Sequence, residues 1–238
     1  MFTRFSKLGV IVGAVGLLAT ATAFASPMQL ELTSGTQSTG ILMYSASGCA
    51  AGVVVCQPNG LQYSNLNFNG WTIYVAGGAS NSPTLSPFGI DINSLTATCN
   101  SGNCGSDNLV ISISDTGFTT NPLPGTVGLS LTSSSTGKVT QQAYGLSSNG
   151  YFDKSNPLGG LQTVSGDGSS FESAGMTDVG APYSLTLVDT LWAGSGNSYS
   201  TDGRITQTPE PGALAMFGAG LLGCALFINR RRRASRQS

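Results

Sequence analysis

Leu109-Val110-Ile111-Ser112-Ile113-Ser114, LVISIS, puts apolar side chains at 109, 111 and 113 and hydroxyls at 112 and 114. A repeat of two residues is that of a strand with one face in a core, because successive side chains point to opposite sides of the sheet. The same period returns in VGLSL, with Val127, Leu129 and Leu131 on one face, and in the sets Trp71, Ile73, Val75; Val139, Gln141, Ala143; and Tyr183, Leu185, Leu187. No stretch between residues 26 and 207 sustains a helical period, and no repeat recurs at a fixed spacing. Clusters of Gly, Ser and Asn (GGASNSP, NSGN, SSSTG, GSGNS) separate the runs. Short alternating strands punctuated by turns predict an all-β fold, an antiparallel β-sandwich of jelly-roll or immunoglobulin-like type. The Gly- and Ser-rich span 149–180 reads as a set of long loops. Residues 193–207 read as a linker with at most one short strand near Ile205, so the sandwich is expected over residues 26–192.

The two ends carry an address. Arg4 and Lys7, the apolar run LGVIVGAVGLLATATAFA and the small residues Ala23 and Ala25 form a secretory signal peptide over 1–25, with cleavage before Ser26. No twin-arginine pair is present, so the general secretion pathway is expected. Near the other end, Gly212 to Ile228 is free of charge. As a helix it would be about 25 Å long, enough for one short membrane span. Arg230, Arg231, Arg232 and Arg233 follow, with Arg236 beyond, and would stay on the cytoplasmic side of the inner membrane. The body is then placed outside, in the periplasm before any processing.

Between that helix and the body lies Thr208-Pro209-Glu210-Pro211. A residue that precedes proline is pushed out of the helical region, so this strap is stiff and extended. Pro211 suits a first helical turn, and Glu210 complements the positive end of the helix dipole. In that order, Pro-Glu-Pro, a short Gly- and Ala-rich apolar helix and a terminal arginine cluster over 208–236 resemble the PEP-CTERM sorting signal of Gram-negative bacteria. The resemblance implies recognition of Pro209, Glu210 and Pro211 by exosortase, a membrane-embedded processing enzyme. It also implies later transfer to the cell surface or release into the extracellular matrix, where such proteins accompany exopolysaccharide and biofilm formation.

The body is acidic, with ten Asp and Glu against Lys138, Lys154 and Arg204, which disfavours nucleic acid as a partner. Cys49, Cys56, Cys99 and Cys104 form two close pairs in an exported chain, where disulfides are expected rather than metal. Three connectivities are possible; Cys49 with Cys56 and Cys99 with Cys104 is favoured, the second stapling a hairpin from LTAT into LVISIS. The chain contains no histidine, which removes Ser-His-Asp and Cys-His catalysis and the favoured ligand of catalytic zinc. Asp153, Asp167, Glu172 and Asp178 are the nearest approach to a carboxylate cluster for glycoside hydrolysis, but acids in Gly-rich segments more often form turns. Asp91 with Asn93, and Asp167, offer oxygen ligands for calcium without matching a calcium loop. Trp71, Tyr74 and Trp192 would stack on sugars if exposed together, although period two places Trp71 and Trp192 in the core. The expectation is a non-enzymatic surface or matrix protein, structural or adhesive, with no cofactor and no metal. A carbohydrate- or protein-binding module is the alternative, and a glycoside-directed enzyme the third reading.

Overall fold

In a computed structural model the described residues are 27–44, 51–57, 60–82, 89–100, 104, 106–119, 126–176, 180–207 and 219–221. The signal peptide with Ala23, Ala25 and Ser26, Cys49, Asp178, the strap Pro209–Pro211, and Arg230 to Arg233 lie outside them, as does the apolar segment apart from 219–221, which is helical and exposed. Among the described residues no helix is long and apolar enough to cross a membrane.

The strands are β1 (Gln29–Ser34), β2 (Gln37–Ser38), β3 (Leu42–Met43), β4 (Val53–Gln57), β5 (Gly60–Phe68), β6 (Trp71–Ser80), β7 (Ile90–Cys99), β8 (Leu109–Phe118), β9 (Thr126–Ser135), β10 (Lys138–Leu146), β11 (Pro157–Ser165), β12 (Gly168–Gly175), β13 (Tyr183–Leu191) and β14 (Ser198–Gln207). They build two antiparallel sheets. One, sheet A, has the order β11-β10-β13-β8-β1-β2 with β3 also on β1; the other, sheet B, has the order β12-β9-β14-β7-β6-β5-β4.

The eight strands from β7 onward are a jelly roll. β11 pairs with β10, β12 with β9, β13 with β8 and β14 with β7, so the second half of the run retraces the first in reverse order. Pairing of β14 with β9 and of β13 with β10 closes the two four-stranded sheets. β1 extends one sheet beside β8, and β6, β5 and β4 extend the other beside β7. Of the two sandwich types the alternation allows, the pairing selects the jelly roll.

The core lies between the sheets and follows the period of two. Leu109, Ile111 and Ile113 of sheet A and Val127, Leu129 and Leu131 of sheet B all point into it, each at most 1% exposed. Each such side chain contributes about 1.5–3 kcal/mol on burial. Trp71 meets Tyr199 with ring centroids 5.7 Å apart, and Phe118 stacks on Tyr183 at 5.5 Å. In β6 a register shift after Ile73 turns Val75 aside and brings Ala76 inward instead. Asn69 and Gly70 join β5 to β6 with φ of 50° and 81°; this pair of left-handed residues matches the twist of a tight hairpin.

Three expectations are corrected. Residues 198–207 are no linker: β14 lies in the middle of sheet B, bonded to β7 and β9, and buries Tyr199, Thr201, Gly203 and Ile205. Its inward row holds only two large apolar side chains, too few to mark a strand in the sequence. The span 149–180 contains β11 and β12, which occupy sheet edges and so need few apolar residues. The Cys99–Cys104 segment does not close a hairpin, because β7 and β8 belong to different sheets and the chain crosses the sandwich between them.

Candidate functional site

The outer faces of the two sheets differ in kind. On sheet A the outward row carries Ser112, Ser114, Thr140, Ser184 and Thr186, all buried despite pointing away from the core. The β10–β11 loop covers it: the Phe152 amide donates to Ser114 Oγ at 3.0 Å, and Lys154 Nζ to Ser112 Oγ at 3.4 Å. Tyr151 donates its hydroxyl to the Pro27 carbonyl at 2.9 Å, tying the start of the body to the same loop.

Sheet B is open. A depression of about 430 Å³ lies over β12, β9 and β14, lined by Thr132, Ser133, Ser134, Gly168, Ser200, Thr201 and Asp202. The alternation that aims Leu129 and Leu131 inward aims Thr132 and Ser134 outward, and on β14 it does the same for Ser200 and Asp202. The strand register then sets these side chains in one patch, Ser200 opposite Ser134 and Asp202 opposite Thr132. Thr132 donates to the Asp202 carbonyl at 3.3 Å, and Ser134 to Asp167 Oδ1 at 3.1 Å. One row along the face, Phe171, Ser130, Arg204 and Asp91 are successive cross-strand neighbours, and Phe171 is 69% exposed. The patch offers hydroxyl donors and acceptors, the acids Asp202, Asp167 and Asp91, one base and an aromatic ring, the inventory for holding a polyhydroxylated or peptide-like surface.

The expected carboxylate cluster is dispersed. Asp153 accepts from the Ser155 side chain and from its amide at 2.9 Å, which in that order hold its carboxyl below the usual range. Asp167 accepts from the Ser135 amide at 3.1 Å, and Glu172 from the Gly160 amide at 2.8 and 3.0 Å. Asp153 braces its own turn, Asp167 ties the β11–β12 turn to β9, and Glu172 ties β12 to β11 across the sheets. Among the described acids, Asp202 acts on both Asp91 and Asp189. Burial first, then the Asp202 charge, raises the Asp91 carboxyl, against lowering by the Ala79 amide, Arg204 and Asn93. Asn93 turns its amide nitrogen to Asp91 Oδ1 at 2.9 Å, so its side chain does not join Asp91 as an oxygen ligand.

The three aromatic candidates do not form one platform. Trp71 is fully buried, with Nε1 donating to the Asp107 carbonyl at 3.0 Å. Tyr74 is 56% exposed on sheet B, whereas Trp192 lies on sheet A with Lys138 Nζ 4.1 Å above its ring. A disulfide joins Cys99 to Cys104 with Cα atoms 5.6 Å apart, and Cys56 is also disulfide-bonded. Nothing in the sequence reading pointed to Thr132, Ser134, Ser200 and Asp202. In TSSS every residue carries a hydroxyl, so no alternation marks which side chains face solvent.

No curated protein matches the chain. Several solved structures show a distant similarity to the chain. The enzymatically active domain of tailspike protein 4 of bacteriophage CBA120 is 11% identical with a TM-score of 0.33, over 60% of this chain and 20% of that one. TmCBM61 in complex with β-1,4-galactotriose is 10% identical with a TM-score of 0.31, over 60% and 91%. A carbohydrate binding module of family 29 is 13% identical with a TM-score of 0.27, over 74% and 92%. At the sequence level, residues 207–233 match the family model of the PEP-CTERM protein-sorting motif. That motif implies export and membrane-associated sorting by exosortase. The chain therefore carries, directly after the last strand of its sandwich, a PEP-CTERM protein-sorting motif.

Proposed function

We propose that this is an exported protein of the cell surface or extracellular matrix, delivered by its sorting motif and acting by adhesion rather than catalysis. The observation that carries the reading is the motif at residues 207–233, joined to β14 with no spacer. Held in the inner membrane by Gly212–Ile228 with the body in the periplasm, the chain is cut at or near Pro209-Glu210-Pro211 and moved outward, in an exopolysaccharide or biofilm setting. The non-catalytic reading is supported by the separate engagement of Asp153, Asp167 and Glu172, and by the burial of Asp91, 5% exposed with Oδ1 already accepting two hydrogen bonds. A glycoside-directed acid and base would have to face one open cleft.

The open face of sheet B favours a second reading as a carbohydrate- or protein-binding module. Its hydroxyl row, with Asp202, Arg204 and Phe171, is the surface by which the body would hold extracellular polysaccharide.

Replacing Pro209, Glu210 and Pro211 by alanine tests the sorting reading. The expected result is normal export with the processed form lost, as it would also be in cells that lack the sorting enzyme. Equal mature mass in wild type, variant and sorting-deficient cells would overturn it.

A further inference from the structure

Not one residue from Leu32 to Ile90 is charged, whereas residues 91–207 carry nine acids and three bases. The uncharged stretch builds β2 to β6, which lie outside the eight-stranded jelly roll and extend its two sheets. It also holds six of the ten large apolar side chains exposed among the described residues: Ile41, Met43, Val54, Val55, Leu66 and Tyr74. Exposed apolar side chains are ordinary when scattered singly; gathered where charge is missing, they mark a contact surface.

The topology sets four of them on one side of the sandwich. On the side of β11 and β12 the two sheets are tied, because a turn joins these strands and Glu172 of β12 accepts from the Gly160 amide of β11 at 2.8 and 3.0 Å. On the other side the sheets end in β2 and β3, two residues each, and in β4. β4 pairs with β5, and among the described residues no strand lies along its other edge. Val54 is 63% and Val55 37% exposed there, and at β3 Ile41 and Met43 are 54% and 41% exposed. A free strand edge presents unpaired N–H and C=O groups, which proteins guard with Lys, Pro, an inward charge or a bulge. Val53-Val54-Val55-Cys56-Gln57 has neither charge nor proline. Its guard is a register shift between Val53 and Val55, beyond which Val55, Cys56 and Gln57 pair regularly.

We propose that the β4 edge is a self-association surface, on which β4 of a second copy of this chain pairs antiparallel and continues sheet B across a twofold axis. Charge selects the occupant. The body is acidic, so two copies repel over surfaces built from residues 91–207 and approach without that cost through the uncharged extension. A charged partner finds no complement on β3 or β4. A second copy is apolar and uncharged at the same positions, and a twofold contact sets this surface against itself. An axis normal to the sheet also makes the two identical edge strands antiparallel, the arrangement that already joins every pair in sheet B. The proposal goes beyond the adhesive reading and depends neither on the sorting motif nor on the hydroxyl patch over β12, β9 and β14.

The test uses the full-length chain purified in detergent. Sedimentation velocity over a wide range of protein concentration should show a monomer–dimer equilibrium. Val54→Lys and Val54→Glu, both at an exposed position, should each weaken the dimer at least about tenfold while keeping the wild-type melting temperature, because the axis brings each charge against its own copy. An equal mixture of the two variants should dimerise again, since Lys then meets Glu. Leu161→Lys, also exposed but on β11 at the far side, should dimerise as the wild type does. A monomer at every concentration, or a dimer as tight in Val54→Lys as in the wild type, would overturn the proposal. A mixture that stays monomeric, or a Leu161→Lys chain weakened as much as Val54→Lys, would overturn it equally.

Discussion

Asp115 points inward from β8 and is 1% exposed, with Oδ1 accepting from the Thr116 amide at 2.7 Å. Burial pushes its carboxyl up to about 6, against lowering by Ser80 and the Thr116 amide. The folded chain therefore holds this proton more tightly than the unfolded one, whose carboxyl titrates near 3.8. The contribution to stability is present below about pH 4, falls as pH rises to about 6 and stays lost above. Asp115→Asn keeps an acceptor for Thr116 and removes the buried charge. It should raise stability by about 1–3 kcal/mol at pH 7 and change little at pH 4. Urea unfolding at the two pH values checks this, and a variant equally stabilised at both would refute it. Asp115 also shows how far single residues were legible. The alternation that placed Ile111 and Ile113 inward places Asp115 inward as well, but no pattern tells that its partner would be Ser80 from the facing sheet. Gln141 is the same case: its inward direction was readable from Val139 and Ala143, its contact with Asp189 was not.

At the scale of elements, what the sequence revealed depended on how many side chains a strand commits to the core. β8, β9 and β13 each bury three successive inward apolar residues, Leu109, Ile111, Ile113; Val127, Leu129, Leu131; and Tyr183, Leu185, Leu187, and were readable. β11 and β12 lie on edges, and β14 fills its inward row with Tyr199, Thr201, Gly203 and Ile205, so their periodicity is faint. The pairing of β7 with β14 joins residues about a hundred positions apart in sequence, a link that local signals do not carry. A sharp expectation follows from the corrected position of β14. A chain that stops after Asn197 loses a strand bonded on both sides and exposes the inward rows of β7 and β9. Loss of the buried Tyr199 and Ile205 side chains alone costs about 3–6 kcal/mol, a large part of the 5–15 kcal/mol by which domains are stable. That truncation should be unfolded or insoluble, whereas a chain ending at Gln207 should fold. Near-ultraviolet circular dichroism and resistance to protease on the two chains decide it; a folded product ending at Asn197 would return residues 198–207 to the status of linker.

For the whole molecule, topology fixes the direction in which the sandwich stands. β14 ends beside the start of β7, with Ile205 opposite Ile90, and β1 begins opposite the second half of β8. Both termini of the body thus leave from one end, where Ser82 of the β6 end also bonds the Thr116 carbonyl. The opposite end holds the β5–β6 turn, Asp107 and the Cys99–Cys104 disulfide, knit together by Asn69, which donates to Ser34 and Asp107. The end at which β14 reaches Gln207 is therefore opposite the disulfide end, and the open face of sheet B lies along the side between them. Because the last ladder bonds of β14 reach Gln207, the burial and strand pairing that hold the sandwich stop where the sorting motif starts. Inserting ten Gly and Ser residues between Gln207 and Thr208 should leave the melting temperature of the body unchanged, since such a linker adds no contacts and closes no loop within the fold. It should also leave processing intact, because a strap recognised for its own extended shape needs no help from the strand before it. Measuring the melt and the mature mass of this insertion variant separates the two claims. A shifted melt would show that the motif segment contributes to the sandwich, and an unprocessed chain would show that the sorting enzyme reads the end of the folded body together with Pro209, Glu210 and Pro211.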